Sequence, residues 1–115
     1  MAYSPDGQRI VTASYDQTAK VWEAETGTEL FTLTSHGGPV SSAAYSPDGQ
    51  RIVLASRDKT AKVWEAQTGT ELFTLTGHDN GLRSATYSPD GQWIVTTSYD
   101  QTAKVWDAKT GTELF

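Results

Sequence analysis

The sequence predicts an all-β repeat protein, and three observations carry that expectation. Tyr3-Ser4-Pro5-Asp6-Gly7-Gln8 recurs at Tyr45 and at Tyr87, so the chain has a 42-residue period without insertions. Within each period, β-branched and aromatic segments follow one another at the roughly 8–12-residue spacing of sandwiches, barrels and propellers. Helix signals are missing, and Gly-, Pro- and Asp-containing turns separate the segments instead.

Each period reads as four short strands. Ile10-Val11-Thr12-Ala13-Ser14 and Thr18-Ala19-Lys20-Val21-Trp22 suit a pleated surface. Glu29-Leu30-Phe31-Thr32-Leu33-Thr34 follows, and the small-residue segment from Val40 to Tyr45 completes the set. In Ser-Pro-Asp-Gly, Pro sets φ at the first central position of a turn and Gly is free to take positive φ. Counted from the small-residue strand, Thr26-Gly27 marks the hairpin between the third and fourth strands.

Composition excludes several function classes. Nine Lys and Arg against 14 Asp and Glu give a net charge of −5 in 115 residues. That balance disfavours nucleic acid, whose phosphates are bound by Lys and Arg. Cysteine is absent, which removes disulfides and thiolate metal sites. No apolar run approaches the ~20 residues of a membrane helix. The N-terminus has neither a basic n-region nor an apolar h-region, so no secretory leader and no membrane association are expected. The expected setting is cytoplasmic.

The repeats are nearly identical. Residues 3–31 match 45–73 at 25 of 29 positions, and match 87–115 equally well. Long divergence would have altered the loops, so the repeats are recently amplified or designed.

A four-strand, 42-residue unit containing Val21-Trp22-Glu23, Val63-Trp64-Glu65 and Val105-Trp106-Asp107 resembles the WD-repeat (WD40) β-propeller family. The resemblance also rests on the linkers Ser35-His36 and Gly77-His78, the Tyr-Ser-Pro-Asp-Gly turn, and an Asp six residues before each Trp. It covers the whole chain, although only Gly77-His78 and Trp106-Asp107 have the family's literal pairs. It implies propeller blades of four antiparallel strands, and the chain's length, short of a full ring, adds the expectation that they are closed into a ring by oligomerisation. Blade 1 would be 1–34, blade 2 35–76 and blade 3 77–115, the first with a truncated inner strand and the third with a truncated outer one. The small-residue strands, Ser41-Ser42-Ala43-Ala44 and Ser84-Ala85-Thr86, would line a central channel.

The resemblance further implies a hydrogen-bonded structural tetrad in each blade. In blade 3 it is His78, Thr96, Asp100 and Trp106, with Asp100 accepting from His78, His78 meeting the Thr96 hydroxyl, and Thr96 meeting the Trp106 indole. Blade 2 has His36, Asp58 and Trp64, with Leu54 in the hydroxyl position. Blade 1 has Thr12, Asp16 and Trp22 and no His. His, hydroxyl and Asp together also imitate a nucleophilic triad. A triad needs an exposed nucleophile beside an oxyanion hole, and its composition alone does not establish one. The structural reading is therefore preferred, with no catalytic residues, cofactor or metal expected. Asp6, Asp48 and Asp90 read as turn residues, because no D-x-D calcium spacing accompanies them.

Tyr15, Arg57 and Tyr99 precede the tetrad Asp residues, on what the resemblance makes a top-face loop that contacts partners. Pro39, Asn80 and Arg83 belong to linkers opening on the same face. Tyr and Arg are enriched at interface hot spots, and the alternative is that the two tyrosines only cover the loop beneath them. Trp93 stands where Arg9 and Arg51 stand in the other repeats; a single exposed aromatic usually carries no meaning.

Three full periods would need 126 residues, 11 more than the chain contains. Propellers typically have 4–8 blades, and an open stack exposes apolar end faces. The expected partner is therefore the chain itself, as a homotrimer of nine blades or alternatively a homodimer of six. A structural scaffold is the first functional reading. A module binding a protein or peptide on the top-face loops is the second, and an enzyme a distant third.

Overall fold

A computed structural model of the chain describes residues 2–34 and 37–114. Among these it contains β-strands and turns and no helix. The strands are β1 (Ala2–Tyr3), β2 (Arg9–Ala13), β3 (Ala19–Glu23), β4 (Glu29–Leu33), β5 (Val40–Tyr45), β6 (Arg51–Ser56), β7 (Thr60–Glu65), β8 (Glu71–Thr76), β9 (Leu82–Tyr87), β10 (Trp93–Ser98) and β11 (Ala103–Asp107). They agree with the sequence-derived strands to within about a residue, the usual uncertainty of strand and helix ends.

The strands form three antiparallel meanders, ordered β1-β2-β3-β4, β5-β6-β7-β8 and β9-β10-β11. Equivalent registers repeat: Val11 faces Val21, Val53 faces Val63 and Val95 faces Val105. The ladder shifts at Val21/Trp22 and again at Val63/Trp64. The third sheet continues past β11 as a bridge from Trp106 to Glu113, with Leu114 N–H donating to the Val105 carbonyl at 2.7 Å.

Alternation along each strand sends successive side chains to opposite faces. This sets the core, which lies between sheets. Val11, Ala19, Val21 and Leu33 of the first sheet pack against Ile52, Leu54, Trp64 and Ala66 of the second. Val53, Ala55, Ala61, Val63 and Leu75 on the second sheet's other face meet Leu82, Ala85, Ile94, Trp106 and Ala108 of the third. Polar contacts join the inner strands too, as Ser41 Oγ donates to the Leu82 carbonyl at 2.8 Å and Ala85 N–H to Ser42 Oγ at 3.2 Å.

Stacking leaves two faces without a neighbouring sheet. Ile10, Thr12, Trp22 and Ala24 are partly exposed, whereas their equivalents Ile52, Leu54, Trp64 and Ala66 are buried. At the other end Val95, Thr97 and Val105 are partly exposed and Ala103 is exposed, whereas Val53, Ala55, Val63 and Ala61 are all 0% exposed.

Candidate functional site

The buried polar cluster of the third sheet is built from a loop and two adjacent strands. Trp106 on β11 and Thr96 on β10 share the inward face, and the residues after Gly77 bring His78 over them. The Trp106 Nε1–H donates to Thr96 Oγ1 at 2.8 Å, and Thr96 Oγ1 lies 2.8 Å from His78 Nε2. His78 Nδ1 is 3.0 Å from Asp100 Oδ2. One proton assignment satisfies every link: Nδ1–H donates to the carboxylate, and Nε2 accepts from the Thr96 hydroxyl. Asp79 N–H also donates to Asp100 Oδ2 at 3.0 Å.

Thr102 closes the arrangement, its hydroxyl and N–H both donating to Asp100 Oδ1. The Thr102 hydroxyl foremost holds the Asp100 carboxyl well below the usual carboxylate range; burial opposes it, and Asp79 N–H and His78 add to the lowering. Equivalent clasps form at Asp16 with Thr18 and at Asp58 with Thr60. Sequence reasoning overlooked these threonines, although Asp-x-Thr repeats in every period and is the signature of an Asx-type turn.

As chemistry, the Thr96 hydroxyl is not presented as a nucleophile. Thr96 is 0% exposed and its oxygen is engaged by both Trp106 and His78. The other two sheets hold partial versions. Trp22 Nε1–H donates to Thr12 Oγ1 at 3.0 Å. In the second sheet Leu54 occupies the hydroxyl position, and the buried Trp64 Nε1–H has no partner among the described residues. His36 lies outside the described residues. Asp58 Oδ2 accepts from Gly37 N–H at 3.0 Å.

The turns joining second and third strands lie on the side of the sheets where the β4–β5 and β8–β9 linkers also lie. There the Arg57 guanidinium sits 5.6 Å from the Tyr15 ring centre and 5.2 Å from that of Tyr99, and its Nη2 donates to Tyr99 Oη at 3.3 Å. Arg83 stands 5.4 Å over the same Tyr99 ring. A row Tyr15–Arg57–Tyr99–Arg83 therefore crosses all three sheets. Tyr15 is 71% and Tyr99 47% exposed, so the row lies at the surface. The Pro39 carbonyl accepts from Arg57 N–H, and Asn80 accepts through its carbonyl from Ser98 Oγ and through its side-chain Oδ1 from Gly81 N–H.

On the opposite side lie the Ser-Pro-Asp-Gly turns. In each, the carboxylate accepts from the preceding Ser hydroxyl and a following Gln N–H: Asp6 from Ser4 and Gln8, Asp48 from Ser46 and Gln50, Asp90 from Ser88 and Gln92. These bonds, the Ser hydroxyl first, lower all three carboxyls. Among the described residues there is no cluster of three or more metal-ligating side chains.

Antiparallel four-strand meanders stacked face to face, with inner strands adjoining and a buried His–Thr–Trp chain beneath the linker, define a β-propeller repeat protein. The chain belongs to the WD40 family: the profile described as WD domain, G-beta repeat matches residues 1–23, 27–65 and 69–107. Curated relatives include the periodic tryptophan protein 2 homolog of Dictyostelium discoideum, 45% identical over 42 residues, or 36% of this chain and 5% of that protein. The WD repeat, SAM and U-box domain-containing protein 1 of Danio rerio is 51% identical over 35 residues, covering 30% of this chain and 7% of its own length. The dynein assembly factor with WD repeat domains 1 of Xenopus laevis is 44% identical over 36 residues, 31% of this chain and 9% of that protein. The chain thus matches only a small fraction of the length of these relatives. WD40 repeats are a protein-interaction architecture, and the family is in general non-enzymatic.

Proposed function

We propose that the chain is a non-catalytic, self-assembling WD40 scaffold, its copies joined head to tail into a closed propeller. One observation carries the reading: the two uncovered end faces are the two halves of a junction already formed twice inside the chain. Ile10, Thr12, Trp22 and Ala24 stand where Ile52, Leu54, Trp64 and Ala66 are buried, and Val95, Thr97, Ala103 and Val105 where Val53, Ala55, Ala61 and Val63 are buried. Burying apolar surface contributes ~25 cal/mol per Å². A head-to-tail contact that closes on itself gives a ring, and one that does not close gives a filament.

Three copies make nine blades at about 40° each, and two make six at about 60°. The trimer is the reading adopted. Closing to six crowds the inner strands, and overpacking costs about 1–3 kcal/mol per site; opening to nine mainly widens the channel. Native mass spectrometry tests it: three times 12.5 kDa supports the trimer, twice supports the dimer, and a monomer at high concentration overturns the assembly. Ala103→Asp on the uncovered face should abolish association and leave the single-chain fold intact.

A second reading is favoured by the Tyr15–Arg57–Tyr99–Arg83 row, an exposed surface of the residue types that dominate interface energies. It is a protein- or peptide-binding face. Saturable capture of a partner, lost in Arg57→Ala with the assembly retained, is the result that supports it.

A further inference from the structure

The two internal junctions share a second contact outside their apolar centres. Arg9, at the start of β2, donates through Nη1 to the Ala66 carbonyl of the next sheet at 3.5 Å, and Arg51 donates to the Ala108 carbonyl at 3.2 Å. Beside each guanidinium lies a tyrosine of that next sheet. Arg9 and Tyr45 line one crevice between adjacent Ser-Pro-Asp-Gly turns, and Arg51 and Tyr87 line the equivalent one. Both tyrosines are half-buried, packed against the junction's apolar cluster, with hydroxyls sealed from solvent. The turns are stacked as well, a Cβ on Gly49 falling 3.3 Å from Pro5 and one on Gly91 3.5 Å from Pro47.

The third version of this crevice is split between the two ends of the chain. Its tyrosine is Tyr3 on β1, 57% exposed, and its Arg position is Trp93 on β10, 40% exposed. Trp93 shares a face with Val95 and Thr97, the face that no sheet covers. Tyr3 belongs to the opposite uncovered face, as Tyr45 and Tyr87 belong to the equivalent covered ones. Two of the chain's large exposed aromatics are therefore the two halves of one repeated site.

We propose that Trp93 of one copy packs against Tyr3 of the partner subunit, so that an aromatic pair closes the crevice at each junction between copies where an arginine closes it within the chain. The proposal rests on the head-to-tail reading above and names the residue that sets the inter-copy junction apart. An arginine at 93 could reach the Ala24 carbonyl of the partner subunit as Arg9 and Arg51 reach theirs. Tryptophan covers more apolar surface, brings no charge to be desolvated, and stacks or tilts favourably on tyrosine.

The absence of cysteine makes the test direct. Tyr3→Cys/Trp93→Cys and, as the internal counterpart, Arg51→Cys/Tyr87→Cys are treated with a short bismaleimide and run on a denaturing gel. The internal pair should link within one chain, and the Tyr3/Trp93 pair should link between chains. By sedimentation equilibrium, Trp93→Ala should weaken association about tenfold or more, as expected for losing a large aromatic contact, whereas Trp93→Arg should stay within about threefold. If the wild-type chain assembles and the internal pair links, but the Tyr3/Trp93 pair does not, this inference falls and the assembly stands. Undiminished association of Trp93→Ala has the same meaning. A monomeric wild-type chain removes both.

Discussion

Thr96 and Leu54 occupy the same position in two nearly identical repeats and do opposite things. Thr96 serves two buried groups at once, accepting from Trp106 and donating to His78. Thr96→Val keeps the shape and orphans both, so a loss of about 2–6 kcal/mol is expected, from ~1–3 per buried unsatisfied group. Thr12→Val severs one bond to the part-exposed Trp22 and should cost about 1 kcal/mol or less. Equal shifts of the denaturation midpoint in the two variants would contradict the network. Leu54→Thr offers the buried Trp64 N–H an acceptor but gives up Leu packing in a fully buried position. These effects are each roughly 1–3 kcal/mol and oppose one another, so the change should lie within about 2 kcal/mol of zero. Asp100 adds a pH dependence. Its folded pKa is lowered, by the Thr102 hydroxyl above all. Its contribution is therefore present above the unfolded carboxylate value, about pH 4, and is lost as pH falls through the folded one. Thermal midpoints should be flat between about pH 5 and 7 and fall in stronger acid, with a weaker fall in Asp100→Asn. An acid profile identical in that variant would show that the other lowered aspartates carry the effect.

Among the secondary elements, the Thr-Gly hairpin between third and fourth strands shows how one turn acquires two roles. Gly27 and Gly111 have φ of +74° and +75°, so an added Cβ strains both backbones alike. At Gly27 that Cβ would meet nothing within 4 Å, whereas at Gly111 it would lie 2.9 Å from the Phe73 ring of the preceding sheet. Gly27→Ala should therefore cost about 1 kcal/mol, and Gly111→Ala about 1–3 kcal/mol more, because the ring must move within a packed junction. Urea denaturation of the two single variants distinguishes local strain from inter-sheet packing, and indistinguishable midpoints would mean that Phe73 yields freely. The salt bridge across the first outer hairpin, Lys20 to Glu29 at 3.1 Å, is exposed and adds little.

At the scale of the molecule, stability and association are one equilibrium in the proposed ring. Ligation of the native state by a second copy raises the melting temperature with protein concentration. The thermal midpoint should rise between micromolar and high-micromolar chain and stop rising once rings are complete. Each copy carries −5, so added salt screens repulsion between copies and should leave the apolar junction intact or tighten it. A midpoint independent of concentration, or dissociation on adding salt, would contradict an apolar head-to-tail contact.

Strands and turns were legible in the sequence because each is local or periodic, and the cluster residues Thr96, Asp100 and Trp106 occupy positions that recur with the same period. Val-Trp-Glu, Ser-Pro-Asp-Gly and the 42-residue spacing state them directly, and Leu54 marks the repeat that lacks a hydroxyl where the others have Thr12 and Thr96. What stacks on what was not legible. Ile10 and Ile52 sit in the same local sequence, Gly-Gln-Arg-Ile-Val, yet Ile52 is 1% exposed and Ile10 is partly open. Arg57 reaches two tyrosines 42 residues away on either side, and Arg51 reaches a carbonyl 57 residues away. Identical repeats have identical propensities, so only the neighbouring sheet can give them different environments, and that neighbour is a property of the tertiary structure.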